Sequence, residues 1–185
     1  MKVSLQRIIE DYLASRGESP DLLPILEEGE ESAVLTLSRQ LKVSLLPAAI
    51  KATLEAPTLH FDELRQANVT PLVDTGGLLV LRMPDDYLRL YSLRMGDWKE
   101  PVRKVEPEGS LRYVLGANAP EWMICSERPM VTEKRDATGI TLRVYGSQSM
   151  SAPPELLYVP LPTFDGETLT LQRSVYEGFL KSLSR

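Results

Sequence analysis

The sequence predicts an α+β chain in which N- and C-terminal helices form a helical bundle and a central antiparallel β subdomain lies between them. Three observations predict it. Apolar residues recur at helical spacing in residues 1–72, short aromatic and β-branched runs separated by Gly, Pro and Asp fill 76–160, and helical spacing returns in 168–185. The expected segments are therefore a helical stretch over 1–75, a β subdomain over 76–162, and a C-terminal helix over 163–185 packed on the N-terminal helices.

Leu5, Ile8, Ile9, Tyr12 and Leu13 make the first amphipathic stripe, with Ser4 to cap its start and Gly17 its end. Glu30 and Glu31 suit a first turn, where carboxylates complement the helix dipole, and Ala33, Val34, Leu37 and Leu41 continue a helical face. Pro47 either kinks this segment or opens a new helix carrying Leu46, Ile50 and Leu54, which Pro57 ends. Asp62 to Ala67 reads as one further helical turn.

In the β region, Gly76-Gly77 and Pro84-Asp85-Asp86 read as turns around a strand from Leu78 to Leu81. Tyr87 to Met95 follows as a strand. Strict alternation places Leu88, Leu90, Ser92 and Arg94 on one face and Tyr87, Arg89, Tyr91, Leu93 and Met95 on the other. Trp98 to Val105 reads as an edge strand because of Pro101, and Glu108 to Leu115 as a short helix. Pro129–Lys134 and Gly139–Tyr145 form a hairpin around Asp136-Ala137-Thr138-Gly139, and Leu156–Leu161 is a last strand. Gly146 to Pro154 is a Ser/Pro-rich loop. In the C-terminal stretch, Leu171, Val175, Phe179 and Leu183 are spaced by four, too short a helix to stand alone in water.

The chain has 185 residues, 43% hydrophobic and 25% charged, enough to bury a core without staples. The net charge is -5. Residues 1–75 hold 7 basic and 12 acidic groups and residues 76–185 hold 14 of each, so the whole excess lies in the N-terminal stretch. Such a balance gives no reason to expect direct nucleic-acid binding. Arg82, Arg89, Arg94, Lys99, Arg103 and Lys104 are interleaved with acids, as on a solvated sheet face. Early charges leave no apolar signal-peptide region, no apolar run reaches membrane-spanning length, and a cytoplasmic location is expected. Without a secretory signal, the glycosylation sequon at Asn68-Val69-Thr70 is a chance match.

Chemistry-bearing residues are few. Cys125 is the single cysteine; it follows Trp122, Met123 and Ile124 and reads as a buried, inert thiol. His60 is the single histidine, so a Ser-His-acid triad would have to use it. Two Cys/His residues in total are too few for a structural zinc site. His60 with Asp62 and Glu63 reads as a solvated turn, and Asp85-Asp86 lacks the spaced oxygens of a calcium loop. No phosphate-binding glycine loop or nucleophile elbow is present. No catalytic, cofactor-binding or metal-binding residue is therefore assigned. Tyr87, Tyr91 and Trp98 are candidate interface anchors, and Trp122 is a core or interface anchor.

Four motifs carry a resemblance. Met83-Pro84-Asp85-Asp86-Tyr87-Leu88-Arg89-Leu90 precedes Asp97-Trp98-Lys99-Glu100-Pro101-Val102; Glu127-Arg128-Pro129-Met130-Val131 and Leu156-Leu157-Tyr158-Val159-Pro160 follow, ahead of an apolar C-terminal helix. Over about residues 79–183 this order resembles tailed-phage and prophage proteins of gut bacteria, including head–tail connector (adaptor) proteins. The resemblance implies a non-catalytic assembly protein, a virion component or cytoplasmic. Its partners would be proteins, through self-association into a ring or a portal-like partner, with no cofactor and no membrane. The alternatives are a small carboxylate-dependent hydrolase and a ligand-binding or regulatory module.

Overall fold

A computed structural model describes residues 1–17, 31–57, 59–74, 78–107, 110, 127–147 and 153–183, with backbone alone for 31–37. The fold is mixed α+β and mostly β. The chain divides into two compact units: Met1–Glu63 with Leu161–Arg185, and Leu64–Pro160.

The first unit joins the two ends of the chain. Strand β1 (Lys2–Ser4) leads directly into helix α1 (Leu5–Ser15), whose first turn is capped by the Ser4 hydroxyl accepting from the Arg7 N–H. Gly17, at φ +74°, adopts the left-handed conformation favoured just past a helix end. Helix α2 (Glu31–Glu55) runs unbroken through Pro47. Pro47 has no N–H for the Val43 carbonyl, and Val43 is 81% exposed, so that carbonyl lies on the open side of the helix. Helix α3 (Tyr176–Leu183) follows a 3-10 turn at Arg173–Val175.

The C-terminal stretch is not one helix, as expected over 163–185. Strands β9 (Thr163–Phe164) and β10 (Thr168–Thr170) occupy its first part, and β10 pairs antiparallel with both β1 and β9. Leu5 N–H reaches the Glu167 carbonyl at 2.7 Å, and the Leu171 N–H reaches the Met1 carbonyl at 3.1 Å. Val3, Ile8, Leu45, Ala49, Ala52, Leu169, Val175 and Phe179 share one core, and Ile9, Tyr12, Leu13 and Leu41 form a smaller one. Leu171 is buried in the larger of these cores although it precedes the helix whose stripe it was expected to extend.

The expected helical turn from Asp62 to Ala67 is also corrected. A 3-10 turn at Phe61–Glu63 ends the first stretch, and Arg65–Ala67 is strand β2, the start of the second unit. Strands β3 (Leu72–Val73), β4 (Leu79–Arg82), β5 (Tyr87–Arg94), β6 (Met130–Asp136), β7 (Gly139–Tyr145) and β8 (Glu155–Pro160) complete it. They form two antiparallel sheets, in the orders β2-β8-β5 and β3-β4-β7-β6. The β6–β7 hairpin turns where expected: Asp136 accepts the Thr138 N–H, and Gly139 takes φ +122°.

Residues 98–105 do not make the expected edge strand. Instead Val102 bridges to Leu93 on the edge of β5, and Glu106 bridges to Thr132 on the edge of β6. Residues 102–106 thus touch one edge of each sheet. Residues of both sheets fill one core, among them Leu81, Leu90, Leu93, Trp98, Val131, Leu142, Leu156 and Tyr158. Trp98 is 2% exposed and donates its indole N–H to the Gly146 carbonyl at 3.0 Å. The expected helix at 108–115, the turn at Gly76-Gly77, Trp122 and Cys125 lie outside the described residues.

Candidate functional site

In the second unit, polar side chains form a network beside the turn after β4. Asp86 accepts from the Tyr158 hydroxyl at 2.8 Å and pairs with Arg65. Next to it, the Tyr87 hydroxyl donates to Glu133 at 2.9 Å, and Arg135 bonds both Glu133 and the Leu88 carbonyl. The Tyr87 and Tyr158 rings lie 5.9 Å apart at 32°. Each carboxylate therefore holds one phenol and one guanidinium. Burial, then the nearby Glu133 charge and its hydrogen bond, push the Tyr87 phenol far above the ordinary tyrosine range. Burial and the Asp86 hydrogen bond raise Tyr158 as well. These phenols keep their protons, and their carboxylates are charge-compensated. The network joins β5 to β6 and β2 to β8; it fixes a fold more readily than it moves protons.

The other candidates separate. His60 is exposed, and its backbone N–H donates to Glu63 at 3.0 Å. Burial raises the Glu63 pKa, but hydrogen bonds from the Ser174 hydroxyl and N–H and the His60 N–H outweigh it and hold the carboxyl below its ordinary range. Glu63 is thus engaged with Ser174, not with a site around His60. Among the described residues, no cluster of three or more His, Cys, Asp or Glu side chains is arranged to hold a metal ion. Of the basic residues, Arg82 donates to the Thr138 carbonyl, Lys99 pairs with Glu127, and Arg89 is partly buried; Arg94, Arg103 and Lys104 are exposed.

Tyr87 and Trp98 are not surface anchors. Both are 2% exposed and belong to the core, while Tyr91 is 37% exposed. In the second unit the most exposed large apolar side chains among the described residues lie on β3, a two-residue strand that spacing rules do not register. Leu72 and Val73 are 55% and 53% exposed, and among the described residues β3 pairs with β4 alone. The β2 edge of the other sheet differs: it presents exposed Arg65 and Gln66. Charged or polar edges resist added strands, whereas an apolar edge is a template for one. Asp74 fixes the end of β3, its N–H donating to the Leu78 carbonyl at 2.9 Å and its carboxylate accepting the Leu78 N–H at 3.0 Å. The arrangement can recognise an extended chain by backbone hydrogen bonds and two apolar contacts.

Comparison with protein-family models finds no match, and comparisons with curated proteins and with solved structures find none at significance. Among the described residues, no helix is long and apolar enough to cross a membrane.

Proposed function

We propose that this chain is a non-catalytic assembly protein of the head–tail connector type, of phage or prophage origin, acting in the cytoplasm or within a virion. One observation carries the reading: the apolar edge strand β3, which among the described residues pairs on one side only, in a unit whose β5 and β6 edges each take a bridge from residues 102–106 and whose β2 edge is polar. In this reading the β unit receives an extended segment of a portal-like or tail-proximal protein, and the N- and C-terminal helices form a helical bundle. The charge-compensated network at Asp86 and Glu133 supports structural carboxylates over hydrolytic ones.

The test is co-purification with the products of the neighbouring genes. Replacing both Leu72 and Val73 by Lys is expected to abolish capture while leaving the melting temperature unchanged, since both side chains are exposed. Undiminished capture by the double variant would overturn the reading.

A further inference from the structure

We infer that the α2–α3 face of the first unit pairs two copies of this chain about a two-fold axis. The two helices run antiparallel. Ser182, near the end of α3, reaches the Ala48 carbonyl at 3.4 Å, well before the end of α2 at Glu55, while Pro57 and Ser174 line the other end of the same cleft. That cleft is open to solvent, about 510 Å³ in volume, with Lys51, Glu55, Glu177, Gly178 and Lys181 around it.

The charges around it are ordered. With Ser182 level with Ala48, Lys181 and Lys51 fall toward one end, and Glu177 and Glu55 toward the other. A four-residue step along each helix separates the signs, roughly 6 Å. Among the described residues no ion pair engages any of the four. Along the cleft the charges therefore run in the order Lys181, Lys51, Glu177, Glu55, positive at one end and negative at the other.

A second copy compensates them. A two-fold axis lying in the face and perpendicular to the helices sets the lysine end of one copy over the glutamate end of the other, twice. Rotation about the helix direction instead sets like over like, so the pattern selects one pairing and excludes its alternative. Gly178 sits between the two charged ends. It has no positive φ, and a Cβ there would meet nothing within 4 Å, so neither the backbone nor the packing of its own chain calls for glycine in mid-helix. Close approach of another copy does.

The experiment is sedimentation equilibrium of the full chain at low and high salt. Wild type is expected to dimerise, more weakly as salt rises. The variant Lys51→Glu/Lys181→Glu and the variant Glu55→Lys/Glu177→Lys are each expected to dimerise more than about tenfold more weakly, because like charges then meet. Mixed, they are expected to form a one-to-one dimer. Gly178→Gln is expected to raise the melting temperature through helix propensity and still weaken pairing, which separates loss of pairing from loss of folding. A wild type that stays monomeric at its highest soluble concentration would overturn the inference. So would half-reversed variants that pair with themselves as tightly as wild type, or that fail to pair with each other.

Discussion

The Glu63 carboxylate accepts both the backbone N–H of Ser174, at 2.8 Å, and its hydroxyl, at 2.5 Å, across 111 positions of sequence. It acts as a remote cap on the turn that feeds α3, in place of Gln172, which makes no side-chain cap bond. Because the contact is half-open to water, Glu63→Ala is expected to cost only about 1 kcal/mol in urea unfolding. The carboxyl is held below its ordinary value of 4.5, so its contribution is fully present above that range. It is lost as pH falls through the depressed value, and the variant's stability should vary less with pH below 4.5 than wild type's.

Removing Trp98 tests whether one core serves both sheets of the second unit. Trp98→Ala is expected to cost about 3–5 kcal/mol by chemical denaturation. Trp98→Phe keeps most of the apolar volume and loses the bond to Gly146, a half-buried acceptor, for about 1 kcal/mol.

Three tyrosines should titrate late. Tyr87, Tyr158 and Tyr176 are all raised, by burial first and then by hydrogen bonds to Glu133, Asp86 and Asp11. At least these three of the seven tyrosines should remain protonated when ordinary phenols ionise, in an ultraviolet absorbance titration. Since their folded values lie above the unfolded value of 10.0, the stability they confer is present below it and is lost as pH rises beyond it. Tyr87→Phe should flatten that alkaline loss; an unchanged alkaline slope would contradict the assignment.

Deleting the chain from Thr168 removes β10 as well as α3, stripping the partner of β1 and uncovering Ile8 and Leu45 together. Insolubility or loss of cooperative unfolding is expected, and unchanged melting would refute the shared core.

Pro47→Ala restores an N–H to the Val43 carbonyl within α2. Helix propensity favours alanine by about 3 kcal/mol, and the freer unfolded chain returns up to about 1. A net gain of about 2 kcal/mol is expected, read as a higher denaturation midpoint.

Most longer elements were legible in the sequence, because α1, β6, β7 and β8 each carry several turns of one period or a turn with its own chemistry. Short ones were not. Strands β1, β2, β3, β9 and β10 are two or three residues long, below the length at which alternation can be read, and their register comes from distant partners. The faces of β5 were misread for another reason. Register shifts between Tyr87 and Arg89 and between Leu90 and Ser92 break the two-residue period, so Tyr87, Leu90 and Leu93 all enter the core. The exposed apolar pair at Leu72 and Val73 had no sequence signal, since an apolar dipeptide is silent about which edge it will occupy.

The pairing of β2 with β8 places the beginning and end of the second unit side by side. Arg65 lies opposite Tyr158, so the chain enters at Leu64 and leaves at Pro160 through neighbouring antiparallel strands, roughly 5 Å apart. A segment with adjacent ends behaves as an insertion. It can be excised and its host rejoined by a short loop, or its own ends can be linked and the chain reopened at another turn to give a circular permutant. Replacing this cassette with another leaves the threading of the host intact, so a lineage can exchange the β unit while keeping the terminal unit as it is.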